Sequence, residues 1–179
     1  RRSMRGQKRR HCGVPTRLMR VSFTGELGFE INVPADYGQS VWEAIWDIGS
    51  PMGMVPYGTE AMHVMRAEKG FIIVGQDTDG TVTPYDAAVG WAVGKKKTDF
   101  VGIRGLKRPD LIAEGRRQLV GLRTKNSKVV LEEGAQIVVD PNQPIPMKMI
   151  GFVTSSYWSE TLGHSIAMAL VENGFNLKG

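Results

Sequence analysis

The sequence predicts an α+β chain in which a β-hairpin, two helices and a short strand precede a small antiparallel barrel or sandwich. Three observations predict it. Residues 29–33 alternate apolar and polar side chains at the strand period. Residues 35–48 repeat apolar side chains at helical spacing. From Arg117 onward, short apolar segments alternate with turn residues such as Gly134, Pro141, Pro144 and Gly163.

The first element is a hairpin over residues 20–34, with Thr24 to Gly28 as its turn and two glycines free to take positive φ. Phe29, Ile31 and Val33 then face one way, and Glu30 and Asn32 the other. By pattern alone, Glu30 is an ordinary surface carboxylate. A helix follows over 35–48, with Val41, Ile45 and Ile48 on one side, Trp42 alongside and Trp46 one turn further on; Gly49 and Pro51 stop it. The second helix covers 59–69, turns Ala61, Met62, Val64 and Met65 inward, and closes at Gly70. Residues 71–74 form a short apolar strand.

Thr83, Pro84 and Asp86 make a capping box for a short helix that ends at Gly90. Another short helix falls at about 103–106, and a domain boundary near 108–115. The C-terminal strands cover 117–123, 135–140, 148–155 and 166–171, and residues 156–159, with Tyr157 and Trp158, form an exposed aromatic loop.

A hydrophobic content of 41% over 179 residues sustains a core. No apolar run approaches the ~20 residues of a membrane span, and no signal peptide is visible. The lone Cys12 cannot form an internal disulfide and reads as a free thiol of a reducing compartment. The net charge of +5 is unevenly spread: the first twenty residues hold eight basic side chains and no acid, leaving the remainder slightly acidic. Residues 1–12 therefore read as a basic tail. No aromatic residue interleaves with its arginines, so no platform for stacking bases is present and no nucleic-acid partner is expected.

Other candidate sites fail on spacing. His11, His63 and His164 share no metal-ligand interval, so no metal is expected. Residues 75–86 lack the first and last ligands of a calcium loop, residues 90–98 miss the phosphate-loop spacing, and no G-x-G-x-x-G occurs. Lys95, Lys96 and Lys97 read as a solvated turn.

The run FTGELGFEINVP (23–34) resembles a motif of the aminomethyltransferase family, the glycine-cleavage T-proteins and their relatives. RAEKG (66–70), GQDTDGTVTP (75–84), GWAV (90–93), DFVG (99–102) and VTSSYWSETLG (153–163) follow in that family's order. Within the family, residues 58–80 are most similar to α subunits of heterotetrameric sarcosine oxidase. The resemblance runs from about Gly13 to the C-terminus. It implies that 13–108 are part of an α+β folate-binding domain that begins upstream of Arg20. It also implies that 109–179 are a C-terminal antiparallel β-barrel whose final strands lie beyond Gly179.

The resemblance also implies chemistry. Tetrahydrofolate is the expected cofactor, with Glu30 on the pterin, Phe23 beside the ring where the family commonly has a tyrosine, and Trp158 in a loop that caps the cleft. A pterin presents an N–H and an amino group side by side, and one carboxylate accepts both in a charge-assisted pair. In that family branch, sarcosine is oxidised to glycine at a flavin held with a partner subunit, and the one-carbon unit passes to tetrahydrofolate. Flavin and NAD are then expected elsewhere in a cytoplasmic complex with the other subunits, away from any membrane. The family's catalytic aspartate lies upstream, so no catalytic residue is expected in this chain and the chain alone should be inactive. Met62 departs from the family pattern, because T-proteins place a folate-binding arginine there; Arg66 is retained and reads as structural. The alternative is a non-catalytic module for docking subunits through the basic tail and the Trp158 loop.

Overall fold

A computed structural model describes residues 6–11 and 13–177 of the chain. It divides into two compact units, Arg1–Lys69 and Gly70–Gly179. Among the described residues, no helix is long and apolar enough to cross a membrane. Cys12 and the first five residues lie outside the described residues, and with them the free-thiol reading.

The first unit holds a three-stranded antiparallel sheet, β1 (Gly6–His11), β2 (Val14–Met19) and β3 (Glu30–Asn32), in that spatial order. Residues 6–11 are therefore a strand and not part of a tail. Arg10 faces Pro15 and His11 faces Val14, so the β1–β2 connection is tight, and Gly13 takes φ 78° within it. Pro15 and the density of arginine disguise this pair in the sequence. The proline is tolerated because β3 covers only Arg17 to Met19, leaving β2 with a single neighbour at Pro15.

The hairpin also differs from its sequence reading. The partner of β3 is β2, with Met19 opposite Glu30, and residues 20–29 form a long connection instead of a strand and a tight turn. Two glycines shape that connection. A Cβ on Gly28 would meet the Val21 carbonyl oxygen at 2.8 Å, and one on Gly25, at φ 83°, would meet the Lys69 Cβ at 2.9 Å.

Helix α1 (Gly38–Gly49) follows a single 3-10 turn and runs into another, and the chain reverses at Gly53 with φ 85°. Its apolar stripe is real, yet none of its residues is buried: Trp42 is 59% and Ile48 67% exposed. The stripe therefore lies largely open among the described residues. Helix α2 (Thr59–Glu68) closes at Gly70 with φ 68°, as its sequence predicts. Arg66 and Ala67 are its buried residues, whereas Ala61, Met62, Val64 and Met65 are only half-buried.

In the second unit, residues 71–74 do not form a strand. The Ile73 N–H that a sheet would use donates to Asp77 Oδ2 at 2.9 Å, while the Asp77 N–H donates to the Ile73 carbonyl at 2.9 Å. A local turn thus captures an apolar run whose pattern favours a strand. The helix predicted after Thr83 is a single turn, closed by the Val89 N–H on the Pro84 carbonyl at 2.9 Å. Ala88 within it takes φ 59°, a left-handed conformation that costs an L-residue about 1–2 kcal/mol. Glycine avoids that strain but loses roughly 0.5–1 kcal/mol of chain entropy. Ala88→Gly is therefore expected to stabilise the chain by about 0.5–1 kcal/mol, read as a higher denaturant midpoint; an unchanged or lower midpoint refutes it.

The main sheet contains β4 (Arg117–Arg123), β5 (Gln136–Val138), β6 (Met149–Ser159) and β7 (His164–Glu172), all antiparallel in the order β4-β7-β6-β5. β7 is an almost unbroken buried run because both of its faces are covered. One face of the sheet turns Val120, Leu122, Val153 and Val171 toward an apolar hollow of about 830 Å³. The loop expected over 156–159 is instead the end of β6: Tyr157 pairs with Ile166 and Trp158 with Ser165 of β7, and Ser159 is fully buried.

Candidate functional site

Glu30 begins β3, the edge strand of the first sheet, and all three residues of that strand are exposed. The structure therefore presents this carboxylate on an open strand and not within an enclosed cleft. Phe23 lies in the β2–β3 connection, 41% exposed, with its ring centroid 6.3 Å from that of His63 on α2 at an interplanar angle of 38°. The connection is tied to α2 by Lys69 Nζ on Glu26 Oε1 at 2.9 Å, and this contact raises the Lys69 pKa above its ordinary value. Both partners are exposed, so the pair positions the loop more than it stabilises the fold. Glu30 and Phe23 thus share one unit. Trp158 is half-buried in β6 of the other unit.

The second unit contains two polar clusters, one that the sequence reading missed and one that it read only in part. Asp77 is fully buried, and its Oδ1 accepts hydrogen bonds from Thr154 Oγ1 at 2.5 Å and Ser155 Oγ at 2.6 Å. Consecutive residues of a strand normally point to opposite faces. A register shift between Val153 and Ser155 lets both hydroxyls reach the same oxygen. Beside them, Gln76 Nε2 donates to the Thr154 carbonyl at 3.2 Å and to Glu133 Oε1 at 3.0 Å. The sequence signal was the polar run Thr154 to Ser156 inside an apolar strand, opposite no visible partner.

The other cluster is centred on Asp86. The predicted capping box forms: the Thr83 N–H donates to Asp86 Oδ2 at 2.9 Å, and the Asp86 N–H donates to Thr83 Oγ1 at 3.2 Å. Arg116 adds a fork, with Nη2 on Asp86 Oδ2 at 2.6 Å and Nε on Oδ1 at 3.2 Å, and its remaining donors reach the carbonyls of Thr81 and Asp110. Burial alone pushes the Asp86 carboxyl up, but hydrogen bonds from Arg116 and Thr83 outweigh it and hold the group below its ordinary range. A carboxylate lowered in the folded state adds stability that is present above the ordinary value of about 4 and is lost as pH falls through the folded value. Asp86→Asn is expected to be less stable than the native chain at neutral pH, with the gap narrowing below about pH 4. A gap independent of pH in denaturant titrations refutes this reading of the pair.

Among the described residues, no three His, Cys, Asp or Glu side chains are grouped to hold a metal ion.

Comparison with known proteins gives these elements a family. The GCVT N-terminal domain model matches residues 2–97, and the glycine cleavage T-protein C-terminal barrel domain model matches residues 117–179. The sarcosine oxidase subunit alpha of Corynebacterium sp. (strain U-96) is 49% identical over 171 residues, covering 93% of this chain and 17% of that protein. The aminomethyltransferase of Halothermothrix orenii is 34% identical over 164 residues, covering 89% of this chain and 42% of its own length. A crystal structure of the glycine cleavage system aminomethyltransferase T from Bartonella henselae superposes with a TM-score of 0.76 at 26% identity, over 92% of this chain and 44% of that one. The chain thus spans about a sixth of the first of these relatives and less than half of the aminomethyltransferases. With two family models matched in sequence order and the fold shared, the chain belongs to the glycine-cleavage T-protein (aminomethyltransferase) family.

Proposed function

We propose that this chain is the folate-binding part of a sarcosine oxidase alpha subunit. The observation that carries this reading is the 49% identity, over 171 residues, to the sarcosine oxidase alpha subunit of Corynebacterium. In the complete enzyme, sarcosine would be oxidatively demethylated to glycine and its one-carbon unit transferred to tetrahydrofolate. Flavin and NAD would be held elsewhere in a cytoplasmic complex with the other subunits. The chain supplies no catalytic residue in this reading and is inactive alone. Residues 13–108, joined by β1, contribute to the folate domain, and 109–179 to the barrel domain; the family-model matches over 2–97 and 117–179 support that division.

Glu30, Phe23 and Trp158 are the proposed cofactor contacts. An exposed carboxylate on an edge strand can offer both oxygens to the adjacent N–H and amino groups of a pterin, and the half-open Phe23 ring offers an apolar face. Hydrogen bonds to a charged group contribute about 1.5–3 kcal/mol, so Glu30→Gln is expected to weaken tetrahydrofolate binding by roughly 10- to 100-fold in calorimetric titration of the complete subunit. Unchanged affinity in that variant removes Glu30 from the site.

A second reading, a subunit-docking module without a folate site, is favoured by α1. An amphipathic helix with Trp42, Ile45 and Ile48 exposed is suited to a protein partner. A folded complete subunit that shows no heat with tetrahydrofolate would select this second reading.

A further inference from the structure

The face of the C-terminal sheet opposite the apolar hollow carries a smaller cavity of about 270 Å³, bounded by Asp79, Thr81 and Val82 and by Arg117, Phe152 and Glu172 of the sheet. Register places its charges. Arg117 of β4 stands directly opposite Glu172 of β7, so both side chains leave the sheet on one face, which Phe152 shares through its pairing with Leu170.

An oppositely charged cross-strand pair stands close enough to close into an ion pair. This one does not: among the described residues, neither side chain has a hydrogen-bond or ion-pair partner, although both are half-buried. The Arg117 guanidinium instead lies over the Phe152 ring, 5.7 Å from its centroid. The neighbouring Arg116 is neutralised by its fork on Asp86. At the rim, Asp79 Oδ1 accepts from the Thr81 N–H and hydroxyl, both at 2.7 Å, and these bonds hold the carboxyl below its ordinary value. The cavity lining thus combines a cation that no hydrogen bond engages among the described residues, two carboxylates and an aromatic ring.

We propose that this cleft binds a small zwitterion, an amino acid whose carboxylate pairs with Arg117 and whose ammonium pairs with Glu172, with Asp79 closing the rim. A free anion would meet the two carboxylates, and a free amine would meet the guanidinium; only a ligand carrying both charges complements both kinds of group. The volume lies just below the ~300–1,000 Å³ of sites for drug-sized ligands, which fits a molecule of this size.

Glycine, acetate and methylamine are the probes, since the last two are the separate halves of the first. Each is titrated into the isotope-labelled chain while the Arg117 and Phe152 resonances are followed. Saturable one-site binding of glycine is expected, with acetate and methylamine at least tenfold weaker. Arg117→Gln and Glu172→Gln, checked for native circular dichroism, should each lose at least tenfold in glycine affinity. Absence of saturable glycine binding overturns the proposal, as does acetate or methylamine matching glycine, or full affinity in either folded variant. Should a variant fail to fold, the comparison of the three probes on the native chain decides alone. The site shares no residue with the proposed folate contacts, so neither result prejudges the other.

Discussion

Gly151→Ala is expected to destabilise the C-terminal sheet by about 3 kcal/mol or more, the largest effect expected of a Gly→Ala change among the described residues. Gly151 sits in β6 between Ile137 of β5 and Val171 of β7. A Cβ there would overlap the Leu170 carbonyl oxygen and stand 2.9 Å from the Val171 Cα. Both obstacles are backbone, so no rotamer change relieves them; β6 and β7 must separate, and their hydrogen bonds weaken with them. Gly121→Ala in β4 is the comparison, because a Cβ at Gly121 meets nothing within 4 Å and its φ is not in the left-handed region. That substitution should be neutral or stabilising by roughly 0.5 kcal/mol through the entropy term alone. Thermal unfolding of the two variants tests the pair, and a Gly151→Ala chain that melts with the native one defeats the packing argument.

Asp77→Ala carries the other large expected effect, a loss of about 3 kcal/mol. The carboxylate is fully buried and receives the Ile73 N–H and the Thr154 and Ser155 hydroxyls. Thr154 keeps an alternative acceptor in the Met168 carbonyl at 3.2 Å. The part-buried Ile73 N–H loses the acceptor that replaced a sheet partner, and a donor left unmatched away from water costs up to about 1–3 kcal/mol. Hydrogen exchange gives a readout specific to this account: the Ile73 amide should lose protection before amides of β4 do. If the Ile73 amide keeps its native protection in Asp77→Ala, the carboxylate is not what holds the 73–77 turn.

These clusters mark where sequence reasoning stopped. Thr83 and Asp86 were legible as a capping box because the two residues are three apart and satisfy each other locally. Arg116 was not legible as their third partner, because thirty residues separate it from Asp86 and any of several cations fits the same role. Residues 71–74 misled because their pattern suits a strand, while the competing hydrogen bond from Ile73 depends on a carboxylate itself oriented by β6. Tyr157 and Trp158 misled in the opposite sense. Flanking serines suggest a loop, yet Ser155 and Ser159 are fully buried in β6, where neighbouring polar groups are available to them.

The candidate site divides in the same way. By pattern alone Glu30 was an ordinary surface carboxylate and only the family resemblance singled it out; the structure keeps it in a strand. Its partner strand was misassigned because β2 contains Pro15 and carries little apolar pattern, and a strand pairing is decided by both of its members.

What the sequence by itself determined are the features fixed by near neighbours: both long helices, the Gly70 stop of α2, the capping box, the four C-terminal strands and the kinship with the T-protein family. Only the tertiary structure decided which strands pair, that Asp77 and Asp86 are buried and held by distant donors, and that Arg117 and Glu172 face each other without closing into a pair. The reason is the range of the forces involved. Helix periodicity and capping are written within a few residues, whereas strand register and buried polar contacts exist only once remote segments have been brought together.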